Sequence, residues 1–355
     1  MELQQIKSLL LKTKEEGASD LLLTVGAPPQ LRVHGFLKPL SQPALSPDDL
    51  KSMVDDLLGD RQKTVLNSFK AIDFSRDFPG IAKFRFNVYF QRNNPAVAAR
   101  IIPDKIPAAS ELGLPKVIED FSKASSGLFL VTGPAGSGKS TTLAVMVDYI
   151  NRNKNLHVIT IEDPIEYEHR HNKCIVDQRE IGSDAESFNS ALHSIFRQSP
   201  DVIMVGELRD LETIHLALTL AETGHLILAT LHTQDTTHAI HRMVDVFPAE
   251  QQQQIFIQLS QVLIGIVAQQ LILTQDQSRR VLACEVMRAT SGIRSLIREA
   301  KTEQIYTLVQ AGRKEGMVTM NESLMELVAL DLISSQAALT KTARPAELLR
   351  MIEAH

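Results

Sequence analysis

The segment Gly133-Pro134-Ala135-Gly136-Ser137-Gly138-Lys139-Ser140-Thr141 constrains this 355-residue chain more than any other. It matches the pattern G-x-x-x-x-G-K-[ST] in full and stands between the strand-like run GLFLVT and a helix-forming stretch at 142–150. A strand, a glycine-rich turn and a helix in that order let backbone N–H groups wrap phosphate oxygens and aim a helix N-terminus at their charge. In such a loop Lys139 neutralises the β and γ phosphates of ATP, and Ser140 ligates Mg²⁺.

Other short apolar runs surround the loop, at 128–132, 157–162, 201–205 and 226–230, and helical stretches precede the last three. Apolar runs of this length suit strands buried on both faces, so the spacing predicts a doubly wound α/β domain. From about residue 250 the pattern reads as mainly helical. Thr319 and Glu322 there have capping-box spacing ahead of Leu324, Leu327 and Val328.

The first hundred residues are organised differently. Ile6, Leu9, Leu10 and Thr13 keep helical spacing up to Gly17, and 46–69 reads as helical again. Strand-like runs occupy 20–25 and 30–37. Phe84, Phe86, Val88 and Phe90 alternate with Arg85, Asn87, Tyr89 and Gln91, the mark of a half-buried strand, and a turn at Asn93, Asn94 and Pro95 leads into its partner at 96–102. Beyond that partner, Pro103, Pro107, Gly113 and Pro115 punctuate the chain. The expected organisation is an α+β domain over 1–102, a linker over 103–115 and the phosphate-binding domain over 116–355.

A formal net charge of −5 disfavours nucleic acid as a partner. The most apolar long segment, 259–273, is interrupted by Ser260, Gln261, Gln269 and Gln270, whereas a membrane-spanning helix needs about 20 predominantly apolar residues. The start has no basic region followed by an unbroken apolar stretch, so it reads as a helix and not as a secretory signal. Cys174 and Cys284 lie far apart and read as reduced core thiols of a cytoplasmic protein.

Hydrolysis needs an acid to orient and deprotonate water. Two glutamates end apolar strand-like runs, Glu207 after DVIMVG and Glu162 after HVITI, and strand ends face the ligand in sheets of this kind. Gly206 stands where such enzymes usually carry an aspartate, which leaves the division of labour between the two open. His225 and His232 flank another strand. Seven apart, they fall on opposite faces, against joint metal ligation. Each reads either as a structural histidine or as a sensor of the γ-phosphate.

Taken together, these motifs resemble the secretion-ATPase superfamily, and nearly the whole chain is similar to its pilus-retraction branch. The phosphate loop, an acidic box around Ile161-Glu162-Asp163-Pro164, the strand ending Gly206-Glu207 and the histidine box at 224–232 occur in the family's order and spacing. The resemblance implies a RecA-like ATPase core with a smaller PAS-like N-terminal domain, assembled as a homohexameric motor. It implies work at the cytoplasmic face of the inner membrane with a PilC-like platform protein, and peripheral association through the pilus machine.

By the same resemblance Glu207 is the general base, Glu162 the Mg²⁺ or water carboxylate, and Arg85 and Arg92 are arginines that approach the phosphates when the small domain closes. His232 joins the catalytic set and His225 the nucleotide contacts. Gly292-Ile293-Arg294-Ser295-Leu296-Ile297-Arg298-Glu299 resembles the family's AIRNLIRE element with two changes, and reads otherwise as a salt-bridged surface helix. A pilus-assembly or type II secretion ATPase of the same superfamily is the alternative, followed by a nucleotide-regulated ring adaptor that does not hydrolyse.

Overall fold

The computed structural model describes residues 3–33, 35–103 and 105–354. The chain divides into two compact units, one of residues 1–105 with Pro164–Tyr167 and one of 106–163 with 168–355.

The small unit is a six-stranded antiparallel sheet with helices. Its strands are β1 (Asp20–Leu23), β2 (Gln30–Val33), β3 (Phe36–Pro39), β4 (Ala71–Phe78), β5 (Ala82–Gln91) and β6 (Asn94–Ile102), in the order β3-β2-β1-β6-β5-β4. The alternation in β5 sends Phe84, Phe86 and Val88 into a core where no part of them meets solvent, and Phe86 stacks on Phe74 at 5.3 Å between ring centroids. The run at 30–37 is a hairpin of two strands, and its His34 lies outside the described residues. The helical pattern at 46–69 is two helices, Pro47–Leu57 and Asp60–Phe69, divided at Gly59. The β5–β6 turn falls one residue earlier than expected: Gln91 pairs with Asn94, and Arg92 and Asn93 between them have φ of 47° and 63°.

The large unit carries β7 (Gly127–Thr132), β8 (His157–Glu162), β9 (Ile175–Glu180), β10 (Val202–Val205), β11 (Leu226–Leu231), β12 (Leu263–Leu273) and β13 (Arg280–Arg288) in one sheet of order β13-β12-β7-β11-β10-β8-β9. All its pairings are parallel except that of β12 with β13. Helices cover both faces. Leu143, Met146, Val147 and Ile150 of the helix Lys139–Asn153 pack with Phe129 and Val131 on one side. Ile214, Leu218, Ile240 and Leu259 pack with Leu128 and Leu130 on the other.

From about 250 the chain is mainly helical, with one strand pair that the sequence pattern does not show. The helix Ala249–Val262 passes straight into β12, which lies against β7 and pairs with β13 before the helices resume at Ser291–Arg298. The reason is physical: β12 is buried on both faces from Leu263 to Gln269 apart from Ile264, and such a strand shows the same unbroken apolarity as a buried helix. Among the described residues, no helix is long and apolar enough to cross a membrane.

Candidate functional site

The phosphate loop leaves the end of β7 and returns as the helix Lys139–Asn153. Its shape depends on Gly133, with φ of 146°, where a Cβ would lie 2.3 Å from the carbonyl oxygen of Gln269 and 2.6 Å from Ser137 Oγ. Gly138, at φ 91°, begins the helix and offers no side chain to cap its first N–H groups. Lys139 Nζ donates to the carbonyl oxygens of Gly133 at 2.9 Å and Pro134 at 3.1 Å, so its ammonium is held inside the loop. Ser137 Oγ is buried without a hydrogen-bond partner among the described residues. An orphaned hydroxyl and an uncapped helix start in a glycine cradle fit a phosphate group.

Gln269 of β12 supports the loop from behind. It is buried, its Nε2 donates to Thr142 Oγ1 at 2.8 Å, and its carbonyl blocks any side chain at position 133. Sequence reasoning noted it only as an interruption in an apolar run; a glutamine within a buried strand was the available signal.

Parallel pairing brings the relevant strand ends to one edge. Thr132 pairs with Leu231, and Val205 pairs with both Ala229 and Ile161, so the residues after β7, β10 and β11 and the last residue of β8 share that edge. Glu162 is buried and accepts hydrogen bonds from Thr160 Oγ1 at 2.6 Å and Gln178 Nε2 at 3.1 Å. Glu207 is more accessible. Arg209 Nε donates to its Oε2 at 2.7 Å, and His232 Nε2 lies 3.4 Å from its Oε1. A carboxylate flanked by a cation and an imidazole, on the sheet edge that also carries the phosphate loop, can hold and deprotonate water.

His225 requires a correction. It precedes Leu226, which pairs with Gly127 at the start of β7, so it sits at the sheet edge opposite the phosphate loop, about 23 Å away along the strand. There its Nδ1 is 3.0 Å from the carbonyl oxygen of Leu220 and 3.1 Å from Thr223 Oγ1, a structural role and not a nucleotide contact.

Arg85 and Arg92 belong to the small unit. Arg85 points from the outer face of β5, with Nη2 3.8 Å from Asp73 Oδ1. Arg92 occupies the turn and has left the strand, so the alternation that sets the face of Arg85 does not set its own. Cys174 and Cys284 are free and buried, and among the described residues no group of three or more His, Cys, Asp or Glu could hold a metal ion.

Residues 111–347 match the family model described as type II/IV secretion system protein. The chain is 45% identical to the type IV pilus retraction ATPase PilT of Pseudomonas aeruginosa over 96% of this chain and 98% of that one. It is 42% identical to a twitching motility protein of Neisseria gonorrhoeae over 87% and 83%. A crystal structure of the pilus retraction motor PilT with bound ADP superimposes with a TM-score of 0.91 at 45% identity, covering 98% of both chains. A RecA-like sheet with this loop and acidic edge defines a P-loop ATPase, and the chain belongs to the type II/IV secretion ATPases, of the PilT-like kind.

Proposed function

We propose that this chain is an ATP-hydrolysing motor of type IV pilus retraction, working as a homohexameric ring. The observation that carries the reading is the edge shared by the phosphate loop, Glu162 and the Glu207–His232 pair, within a chain similar end to end to a retraction ATPase. Lys139 and the loop amides bind the β and γ phosphates, while Glu207 takes the proton of the attacking water. His232 orients Glu207 and reports on the γ-phosphate. Ser140, with Glu162 through water, would hold Mg²⁺, which supplies positive charge to the phosphates. Arg85 and Arg92 add charge that the transition state needs. The ring works at the cytoplasmic face of the inner membrane against a PilC-like platform protein.

Glu207→Gln tests the chemistry. The amide still hydrogen-bonds but accepts no proton, so ATP binding persists and steady-state phosphate release falls to the background. Imaging of pili after deletion of the gene tests the cellular role. Filaments that extend and fail to retract support it, and loss of extension indicates an assembly or secretion ATPase instead.

A further inference from the structure

Thr132 is the last residue of β7, one position before the phosphate loop, and it is fully buried. Its hydroxyl donates to the carbonyl oxygen of Thr233 at 2.7 Å and accepts that residue's backbone N–H at 2.9 Å. The Thr233 hydroxyl oxygen lies 2.7 Å from Thr132 Oγ1. The strand β11 has already ended at Leu231, the residue opposite Thr132. One side chain therefore continues the pairing past the end of the ladder, satisfying both backbone polar groups of a residue that no strand neighbour reaches.

Thr233 immediately follows His232, whose Nε2 is 3.4 Å from Glu207 Oε1. On the other side the chain of contacts enters the loop at Gly133, whose carbonyl accepts from Lys139 Nζ at 2.9 Å. Thr132 thus joins the two halves of the site: the half that binds phosphate and the half that carries the base. Gln269, another buried polar group at the loop, bonds Thr142 on the phosphate side.

We propose that Thr132 is a positioning residue that sets the Glu207–His232 pair in register with the phosphate loop. The idea rests on the reading of Glu207 as the base. Valine at this position keeps the volume of threonine and removes the hydroxyl, which leaves the Thr233 N–H and carbonyl without their partner and frees the histidine loop to drift. Small displacements of catalytic groups are costly to turnover and need not change ground-state binding.

Thr132→Val is expected to lower kcat by between ~10-fold and ~100-fold while KM for ATP stays within about threefold, and Thr132→Ser, which keeps the hydroxyl, to restore most of the rate. His232→Ala combined with Thr132→Val should lose little beyond the worse single variant, because both changes act on one loop. Melting temperature and particle size, measured on each variant, separate misplacement from misfolding. Wild-type kcat in Thr132→Val overturns the proposal, as do equal losses in the valine and serine variants or losses that multiply in the double variant. Glu207→Gln assayed beside them distinguishes the two ideas. If it is inactive while Thr132→Val is normal, only the positioning role fails. If it turns over normally while Thr132→Val is impaired, the assignment of Glu207 fails and the register acts through His232.

Discussion

Arg294 Nη1 lies 2.7 Å from the carbonyl oxygen of Ser260 and 2.8 Å from that of Gln261, and its Nε donates to the carbonyl oxygen of Ala289 at 2.9 Å. The first two carbonyls belong to the last turn of the helix Ala249–Val262, whose end lacks intrahelical partners and carries partial negative charge. A guanidinium spanning them caps the helix where it turns into β12, the strand beside the phosphate loop. Within the GIRSLIRE segment this arginine is a structural clamp, while Ile293 and Ile297 are buried and Arg298 and Glu299 are exposed. Arg294→Ala should reduce stability by about 1.5–3 kcal/mol, the range for hydrogen bonds from a charged donor. Urea denaturation checks this, and an unchanged midpoint would mean the clamp contributes nothing.

Lys139 makes its contacts with the carbonyl oxygens of Gly133 and Pro134, so its ammonium is placed in the loop by the protein itself. Lys139→Ala removes the main side-chain charge facing the phosphates and keeps the backbone donors. Nucleotide affinity should fall by ~10-fold to ~100-fold, the equivalent of losing charge-assisted hydrogen bonds. A nucleotide titration with unchanged affinity contradicts the assignment of the loop.

The phosphate loop and the alternation in β5 were legible in sequence for the same reason: each is a local pattern whose residue types are dictated by near neighbours. The partners of Gln269 and Thr132 are not local. Thr142 stands 127 residues from Gln269, and Thr233 stands 101 residues from Thr132, so a side-chain pairing of this kind exists only once the sheet has formed. The two histidines show the intermediate case. His225 and His232 look equivalent as a flanking pair, yet the parallel pairing puts His232 at the end of β11 that shares an edge with the phosphate loop and His225 at the opposite end. The strand β12 stayed hidden because burial on both faces erases the period that separates strand from helix.

His169 is largely buried, with Nδ1 lacking a partner among the described residues, and burial pushes its pKa from 6.5 down to about 4. A depressed value means that the unfolded chain binds this proton more readily than the folded one. The stability linked to His169 is therefore complete above pH 6.5 and is lost as pH falls through about 4. Replacing it with phenylalanine, which carries no titrating group, should flatten the decline of stability across that window relative to the wild type. Denaturation curves taken at several pH values read this directly, and parallel declines in both proteins would show that His169 protonates without cost.

Arg92 offers a way to separate charge from conformation. With Asn93 it forms the two-residue turn between β5 and β6, and its φ of 47° lies in the left-handed region that disfavours any residue with a Cβ. Arginine there costs about 1 kcal/mol relative to glycine, so the position holds a side chain that the turn itself does not prefer. Arg92→Gly should leave stability unchanged or raise it by up to about 1 kcal/mol, because glycine adopts this backbone freely. If the guanidinium serves the transition state, the same variant loses turnover by ~10³-fold or more with ATP affinity much less affected. Arg85→Ala should share the loss in kcat, and lysine at either position should rescue poorly, since an ammonium lacks the planar fork that spans two phosphate oxygens. A stabilised Arg92→Gly protein with full ATPase activity would make Arg92 a solvated turn residue and leave Arg85, 3.8 Å from Asp73, as the arginine of the small unit still to be tested.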